Sequence, residues 1–260
     1  MAKKTTFLPP DSQEREYTRL LLRFSRDMQR DVNQLLIPRI DNIKQQFDRE
    51  MRGDGVFDYL SALMAVLLQR AGLLAAPLQI ALPNIAQSIS HHNDRQFQMV
   101  VRSNTGKDVG QLGVNVFRNE PFLIPLSDAW IKTNTDIIKS LPTRFYPELE
   151  GIIRRGVVSG MSVKDIQKEI KARYGVSDYR SKLIAQDQTT KFHAQLTEYR
   201  LKSVGVEKYI WRSVQDSRVR PDHAERNGKE FSWDNPPSDG HPGQPVRCRC
   251  RAEAVWDGVE

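Results

Sequence analysis

A two-residue alternation near the C-terminus constrains this chain more than any other feature. Val246, Cys248, Cys250, Ala252 and Ala254 fall on one face, and Arg247, Arg249, Arg251 and Glu253 on the other. Successive side chains of a β-strand point to opposite faces. The pattern therefore predicts a strand with both thiols turned to a core and three arginines turned outward. Residues 208–214 contain Tyr209, Ile210, Trp211 and Val214, the aromatic and β-branched types that favour a second strand. Between the two lie Pro221, Asn227-Gly228, Pro236-Pro237, Asp239-Gly240 and Pro242-Gly243, which punctuate turns. The expectation is a small antiparallel sheet crowned by a long, turn-rich loop. Such a loop inside a compact domain is either functional or tied down.

Ordering the loop costs on the order of 1 kcal/mol per residue. Phe231 and Trp233 are its main apolar residues, so something else must hold it. The expected solution is a polar network without a cofactor. Asp216 accepts from loop amides or pairs with Arg220, Arg249 pins loop carbonyls, and His223 bridges. The cysteines are then small buried apolar residues. The alternative is a zinc ion held by His223, His241, Cys248 and Cys250, since two sulfurs and two nitrogens suit tetrahedral zinc. Against it, a Cys-x-Cys pair on a flat strand is not the usual chelating knuckle. A disulfide between Cys248 and Cys250 would be strained at this spacing.

The preceding residues read as helices. After a mobile N-terminal arm (1–10), Asp11 or Ser12 can cap a helix whose apolar stripe is Tyr17, Leu20, Leu21, Phe24, Met28, Val32, Leu35 and Leu36. Pro38 ends or kinks it. A charged helix over 39–51 buries Ile40, Ile43 and Phe47, and Gly53-Asp54-Gly55 breaks the chain. Helices follow over 57–76 and 83–99, with His91, His92, Asn93 and Asp94 on a solvated face. Residues 103–125 are Gly- and Pro-containing and irregular. Ser127 opens a helix stopped by Pro142, and another covers 145–159 and is closed by Gly160. Ser162 and Asp165 form a capping box for a short helix that ends at Gly175. A last helix over 178–204 ends at Gly205 and feeds the Trp211 strand. The fold class expected is α+β, with mainly helical N-terminal and middle regions and a small C-terminal antiparallel β domain. The division expected is an N-terminal helical region (1–102), a linker (103–125) and a C-terminal domain (126–260), with helices over 126–204 and the sheet and loop over 206–256.

Composition narrows the function classes. With 27% charged and 39% hydrophobic residues, the chain reads as polar and soluble. Met1-Ala2-Lys3-Lys4 is not followed by an apolar run, so no secretory signal is expected. Gln69, Arg70, Pro77 and Gln79 interrupt the apolar residues of 57–82, so no membrane span is expected. That run is expected in a helical core or against another chain. The net charge of +7 suits an acidic partner such as DNA. Asp222-His223, Asn235 and His241 could serve a metal-dependent nuclease, but these residue types are common in turn-rich loops. A Cys–His protease is disfavoured because both thiols are expected to face a core. No DNA-reading motif is present, so DNA contact would be nonspecific and salt-sensitive. No enzyme activity is expected.

A tryptophan strand, an Asp, Arg-x-x-His, Gly-Lys, His-Pro-Gly and a closing Cys-Arg-Cys follow in order. The residues are Trp211, Asp216, Arg220, His223, Gly228, His241, Pro242, Gly243, Cys248, Arg249 and Cys250. This series resembles the C-terminal domain of phage Mu F-like minor head proteins, also called head-morphogenesis proteins. Gly160-Met161-Ser162 through Thr189 is similar to that family's helical lead-in, so the resemblance covers about residues 120–255. Ala185-Gln186-Asp187-Gln188 stands where many members have Ala-Arg-Thr-Glu. Many members also carry a Cys pair near the position of Arg220 and His223; its absence rules out a four-cysteine metal site here. The resemblance implies a structural minor capsid protein of a tailed bacteriophage that acts near the portal in head morphogenesis. It further implies retention in the virion, partners among portal or inner capsid proteins, contact with packaged DNA, and residence in the host cytoplasm during assembly.

Overall fold

The computed structural model describes residues 6–50, 54–112 and 120–256. Among these, the elements are α1 (Asp11–Asp31), a π-helical turn (Val32–Leu36), a 3₁₀ turn (Ile37–Arg39), α2 (Ile40–Glu50) and α3 (Asp54–Thr105). A second 3₁₀ turn (Val109–Leu112), α4 (Leu123–Val158) and α5 (Val163–Ser203) follow. The chain closes with β1 (Lys208–Arg212), α6 (Pro221–Glu225), β2 (Glu230–Ser232) and β3 (Arg251–Ala254). The fold is thus α+β, mainly helical with a small antiparallel sheet near the C-terminus.

The helices are fewer and longer than the sequence suggests. Pro77 and Pro83 lie inside α3, and Pro142 and Pro147 inside α4. Each proline removes one ladder hydrogen bond. The buried faces of the flanking turns offset that loss. In α3 the buried positions are Val56, Leu60, Met64, Leu67, Ala71, Ala75, Leu78 and Leu82, advancing three or four residues at a time. Gly175, expected as a C-cap, sits inside α5. Pro38 acts closer to expectation. The helix opens into the π turn and re-forms as α2 beyond the 3₁₀ turn that carries Pro38. In the expected Gly53-Asp54-Gly55 break, α3 already begins at Asp54, and residues 51–53 lie outside the described ones.

Continuity of α3 bears on the membrane question. The helix Gly55–Thr105 contains an 18-residue window apolar enough to cross a membrane by length and composition, and 28% of that window is buried. The sequence reading expects no span because Gln69, Arg70, Pro77 and Gln79 interrupt the apolar residues, but the mean over the window stays apolar despite such interruptions. Leu73 and Ile80 are exposed on the side away from the buried stripe.

Two caps match the sequence pattern. Ser162 Oγ accepts from the Asp165 N–H at 3.1 Å and donates to its carboxylate at 2.6 Å, which starts α5. At its other end, the Val206 N–H reaches the Leu201 carbonyl at 3.0 Å and Gly205 takes φ +82°, a left-handed stop that turns the chain into β1.

Contacts divide the chain into two compact units that alternate along the sequence, whereas the sequence reading divides it serially. One gathers Met1–Glu16, Pro83–Ile131 and Ala185–Glu260; the other Tyr17–Leu82 and Lys132–Ile184. In the second unit the Tyr17 hydroxyl donates to Asn134 at 2.7 Å, and Arg70 clasps the buried Asp31 through two hydrogen bonds of 2.8 Å.

The first unit carries the sheet, in the order β2-β1-β3 with both pairs antiparallel. Tyr209 and Trp211, fully buried on β1, face a core with Trp233, Phe97, Leu201 and Val206. Arg200 of α5 is 2% exposed and is saturated with partners. It donates to both Glu120 oxygens (2.6 and 2.8 Å), to the Ser90 carbonyl and hydroxyl (3.0 and 3.1 Å) and to Asn93 Oδ1 (2.8 Å). Asn93 is therefore buried rather than on a solvated face: it answers Arg200 and donates to the Thr197 hydroxyl and the His193 carbonyl.

Candidate functional site

The segment after β1 makes a tight turn in which Asp216 accepts from the Arg218 N–H at 3.0 Å. Arg220, in extended conformation, precedes Pro221 at the first turn of α6. This short helix places His223 beneath the sheet, 3% exposed. The Trp211 indole meets the His223 ring edge-to-face at 5.0 Å, and the Arg226 guanidinium covers the other ring system of the pair, 5.1 Å from the indole.

The two imidazole nitrogens of His223 have different partners. Nε2 lies 2.8 Å from Asp239 Oδ2, and Arg226 holds the other Asp239 oxygen. Nδ1 lies 3.5 Å from Cys248 Sγ and 3.5 Å from Cys250 Sγ. The three donor atoms lie within 4.8 Å of one another, and all three residues are buried. The Gly243 N–H donates to Cys248 Sγ at 3.4 Å. The Cys248 thiol is held down to about 6, chiefly by a hydrogen bond from Cys250, and the same sharing pushes Cys250 up. For Asp239, burial alone would raise the carboxyl; hydrogen bonds from His223 and Arg226 outweigh it and hold it below the usual range. A cavity of about 290 Å³ adjoins the cluster, bounded also by Gln186, Val214, Arg220 and Val246.

The cysteines are not in a strand. β3 begins at Arg251, Val246 is exposed, and Arg247 takes φ +60°, so the chain turns at 246–247 and runs irregularly through 248–250 before the sheet is joined. The alternation in burial survives from Cys248 to Ala254. The turns are pinned from outside: Arg220 donates to the Val246 carbonyl at 2.8 Å, and Asp187 of α5 accepts from the Arg247 N–H at 2.9 Å.

The other motif residues surround this cluster. Asp216 pairs with Arg249 at 2.7 Å, not with Arg220, and that hydrogen bond holds its carboxyl well below the usual carboxylate range. Arg249 thus grips a carboxylate rather than the expected loop carbonyls. The Gly228 N–H donates to the Trp211 carbonyl, and Lys229 returns a carbonyl to the Trp211 N–H. His241 stands apart from the two sulfurs. Its Nδ1 is 2.9 Å from the Tyr209 hydroxyl, its ring meets Trp233 edge-to-face, and burial depresses its basicity. Pro242 leads into Gly243, whose φ of +88° and close approach leave no room for a side chain: a Cβ would lie 2.8 Å from Ala194 Cβ. Of the four residues expected as zinc ligands, His223, Cys248 and Cys250 come together and His241 does not. Of the residues considered for a nuclease, Asp222 and His241 lie outside this cluster, and Asn235 bridges to Ser232.

Asp239, Arg226, Asp187 and Gln244 were not singled out from the sequence. Gln244 accepts from the His241 N–H at 3.0 Å and donates to Glu198 at 3.2 Å. Asp239 precedes Gly240 and reads as turn punctuation; only the fold reveals it as the partner of His223.

Residues 148–253 match the family described as Phage Mu protein F like protein. A protein of Haemophilus influenzae, described only as uncharacterized, is 33% identical over 178 residues, which is 68% of this chain. This chain spans 40% of that relative's length. No solved structure matches the chain. The matched segment contains α5, β1, the whole loop with its His223–Cys248–Cys250 cluster, and β3 up to Glu253. The match over residues 148–253 supports the phage Mu F-like head-morphogenesis family for this part of the chain.

Proposed function

We propose that this chain is a structural minor capsid protein of a tailed bacteriophage, working in head morphogenesis beside the portal and remaining in the virion. The observation that carries the reading is the family match over residues 148–253. The sheet and loop are held by buried rings, ion pairs and turns, which suits a rigid docking module. The net charge of +7 favours an acidic neighbour, and packaged DNA beside a portal is one. Contact with DNA would be through phosphates alone and would weaken steeply between about 50 and 200 mM salt, as counterion release requires.

The test is genetic and physical. A phage carrying a nonsense codon early in this gene should yield aberrant or DNA-poor heads. The wild-type product should sediment with purified heads and be captured with the portal protein. A normal burst of infectious particles from the nonsense mutant, or heads lacking this protein at every assembly stage, overturns the reading.

A further inference from the structure

We propose that His223, Cys248 and Cys250 form a zinc site, with the ion held by His223 Nδ1 and both sulfurs and its fourth position open toward the adjoining cavity. Nothing in this proposal depends on a role in head assembly.

The geometry carries it. For zinc–sulfur and zinc–nitrogen bonds of about 2.3 and 2.05 Å, a tetrahedral site has S···N edges of roughly 3.5–3.6 Å. Both observed S···Nδ1 separations are 3.5 Å. The backbone removes the objection raised by a Cys-x-Cys pair. On a flat strand the two sulfurs would lie along the strand, but here a turn ends at Cys248, whose N–H closes onto the Pro245 carbonyl at 2.9 Å, residues 248–250 join no strand, and the two thiols converge on one nitrogen.

The surroundings are those of a ligand set. Asp239 at Nε2 selects the tautomer in which Nε2 carries the proton and Nδ1 presents its lone pair to the sulfurs. A carboxylate behind the histidine in this way orients it and makes it a better donor to a metal. Arg226 in turn fixes Asp239. The Gly243 N–H aimed at Cys248 Sγ favours a thiolate over a thiol. Two thiolates and one imidazole at tetrahedral spacing select a borderline-soft ion such as zinc over magnesium or calcium, which take oxygen ligands. Binding sends to solvent whatever protons the two thiols still carry, and Zn²⁺ with two thiolates and a neutral imidazole sums to no net charge.

Among the described residues no fourth His, Cys, Asp or Glu joins the cluster. The fourth position therefore falls to water from the cavity. His241 is excluded by its bond to the Tyr209 hydroxyl. The ion would tie α6 to the residues before β3, closing 25 residues of loop that otherwise rest on Asp216, Arg220 and Asp239.

The experiment uses the full chain purified without chelators. Elemental analysis should find close to one zinc per chain. The Cys248→Ser/Cys250→Ser variant should hold none, and His241→Gln should hold as much as the wild type. Replacement by Co²⁺ should give a thiolate-to-cobalt charge-transfer band and tetrahedral visible bands. Both thiols of the native protein should resist alkylation until a chelator is added, and chelation should lower the Tm. The cobalt spectrum and the alkylation assay need only the wild-type chain, so they decide the matter even if the cysteine variant fails to fold. Wild-type protein with no zinc and no cobalt charge-transfer band, zinc that persists without the two cysteines, zinc lost with His241→Gln in a folded protein, or another metal in its place overturns the assignment.

Discussion

Replacing Arg200 with methionine removes a charge on which three separated parts of the first unit converge. The guanidinium is 2% exposed and makes five hydrogen bonds, two of them to Glu120, whose side chain is 16% exposed. Methionine keeps most of the volume, so the loss is electrostatic rather than a cavity. It leaves Glu120 with an uncompensated and mostly buried carboxylate, and takes a donor from the Ser90 hydroxyl and Asn93 Oδ1. Breaking a buried pair from one side costs about 3–5 kcal/mol. The neutral acceptors that lose a donor add to this, but relaxation and water entry offset part of it. About 4 kcal/mol is the expected loss, a large share of a typical domain's 5–15 kcal/mol. The assay is urea unfolding followed by tryptophan fluorescence. Trp130, Trp211, Trp233 and Trp256 all lie in the first unit, so the signal reports that unit alone. Arg200→Met/Glu120→Gln should be more stable than Arg200→Met, because the orphaned charge is gone. A loss below about 1 kcal/mol for Arg200→Met, or a double variant less stable than it, would refute the assignment of Arg200 as the unit's buried electrostatic tie.

His193 should make the same unit acid-sensitive. Burial, helped by the nearby His92, Arg200 and Arg251 charges, pushes it down to about 3, and its Nε2 has no hydrogen-bond partner. The unfolded chain therefore binds a proton near pH 6.5 that the folded chain refuses. Stability should fall as pH drops from about 6.5 toward 3, with a slope approaching about 1.4 kcal/mol per pH unit from this group. In stability–pH curves measured by denaturant titration, His193→Gln should flatten that limb relative to wild type; parallel curves would remove His193 as the cause. Gly243→Ala should cost about 2 kcal/mol or more, because it combines φ +88° with a Cβ 2.8 Å from Ala194. Thermal unfolding checks this, and an unchanged Tm would mean that the loop is not seated against α5 as described.

Local chemistry was legible in the sequence because it depends on neighbours a few residues away. The α1 stripe from Tyr17 to Met28, the Ser162–Asp165 box and the Gly205 stop all follow from spacing along one helix or from one residue's conformational range. The alternation from Cys248 to Ala254 correctly gave the side facing the core. It misplaced the strand itself, since burial on one side does not require the partner strand that defines a sheet. Prolines 77, 83 and 142 misled for a related reason. A missing hydrogen bond is local, while the packing that offsets it comes from residues far away in sequence. The candidate site was half visible. The residue types of His223, Cys248 and Cys250 marked them, but His241 carries the same marks and lies elsewhere, bonded to Tyr209. Asp239 behind His223, Asp187 under Arg247 and Glu120 against Arg200 carry no sequence signal, because each pairing spans 16 or more residues and exists only once the helices and loop have met. Residue chemistry set which groups could act; the tertiary fold decided which of them meet, because the distance between two side chains far apart in sequence is a property of packing.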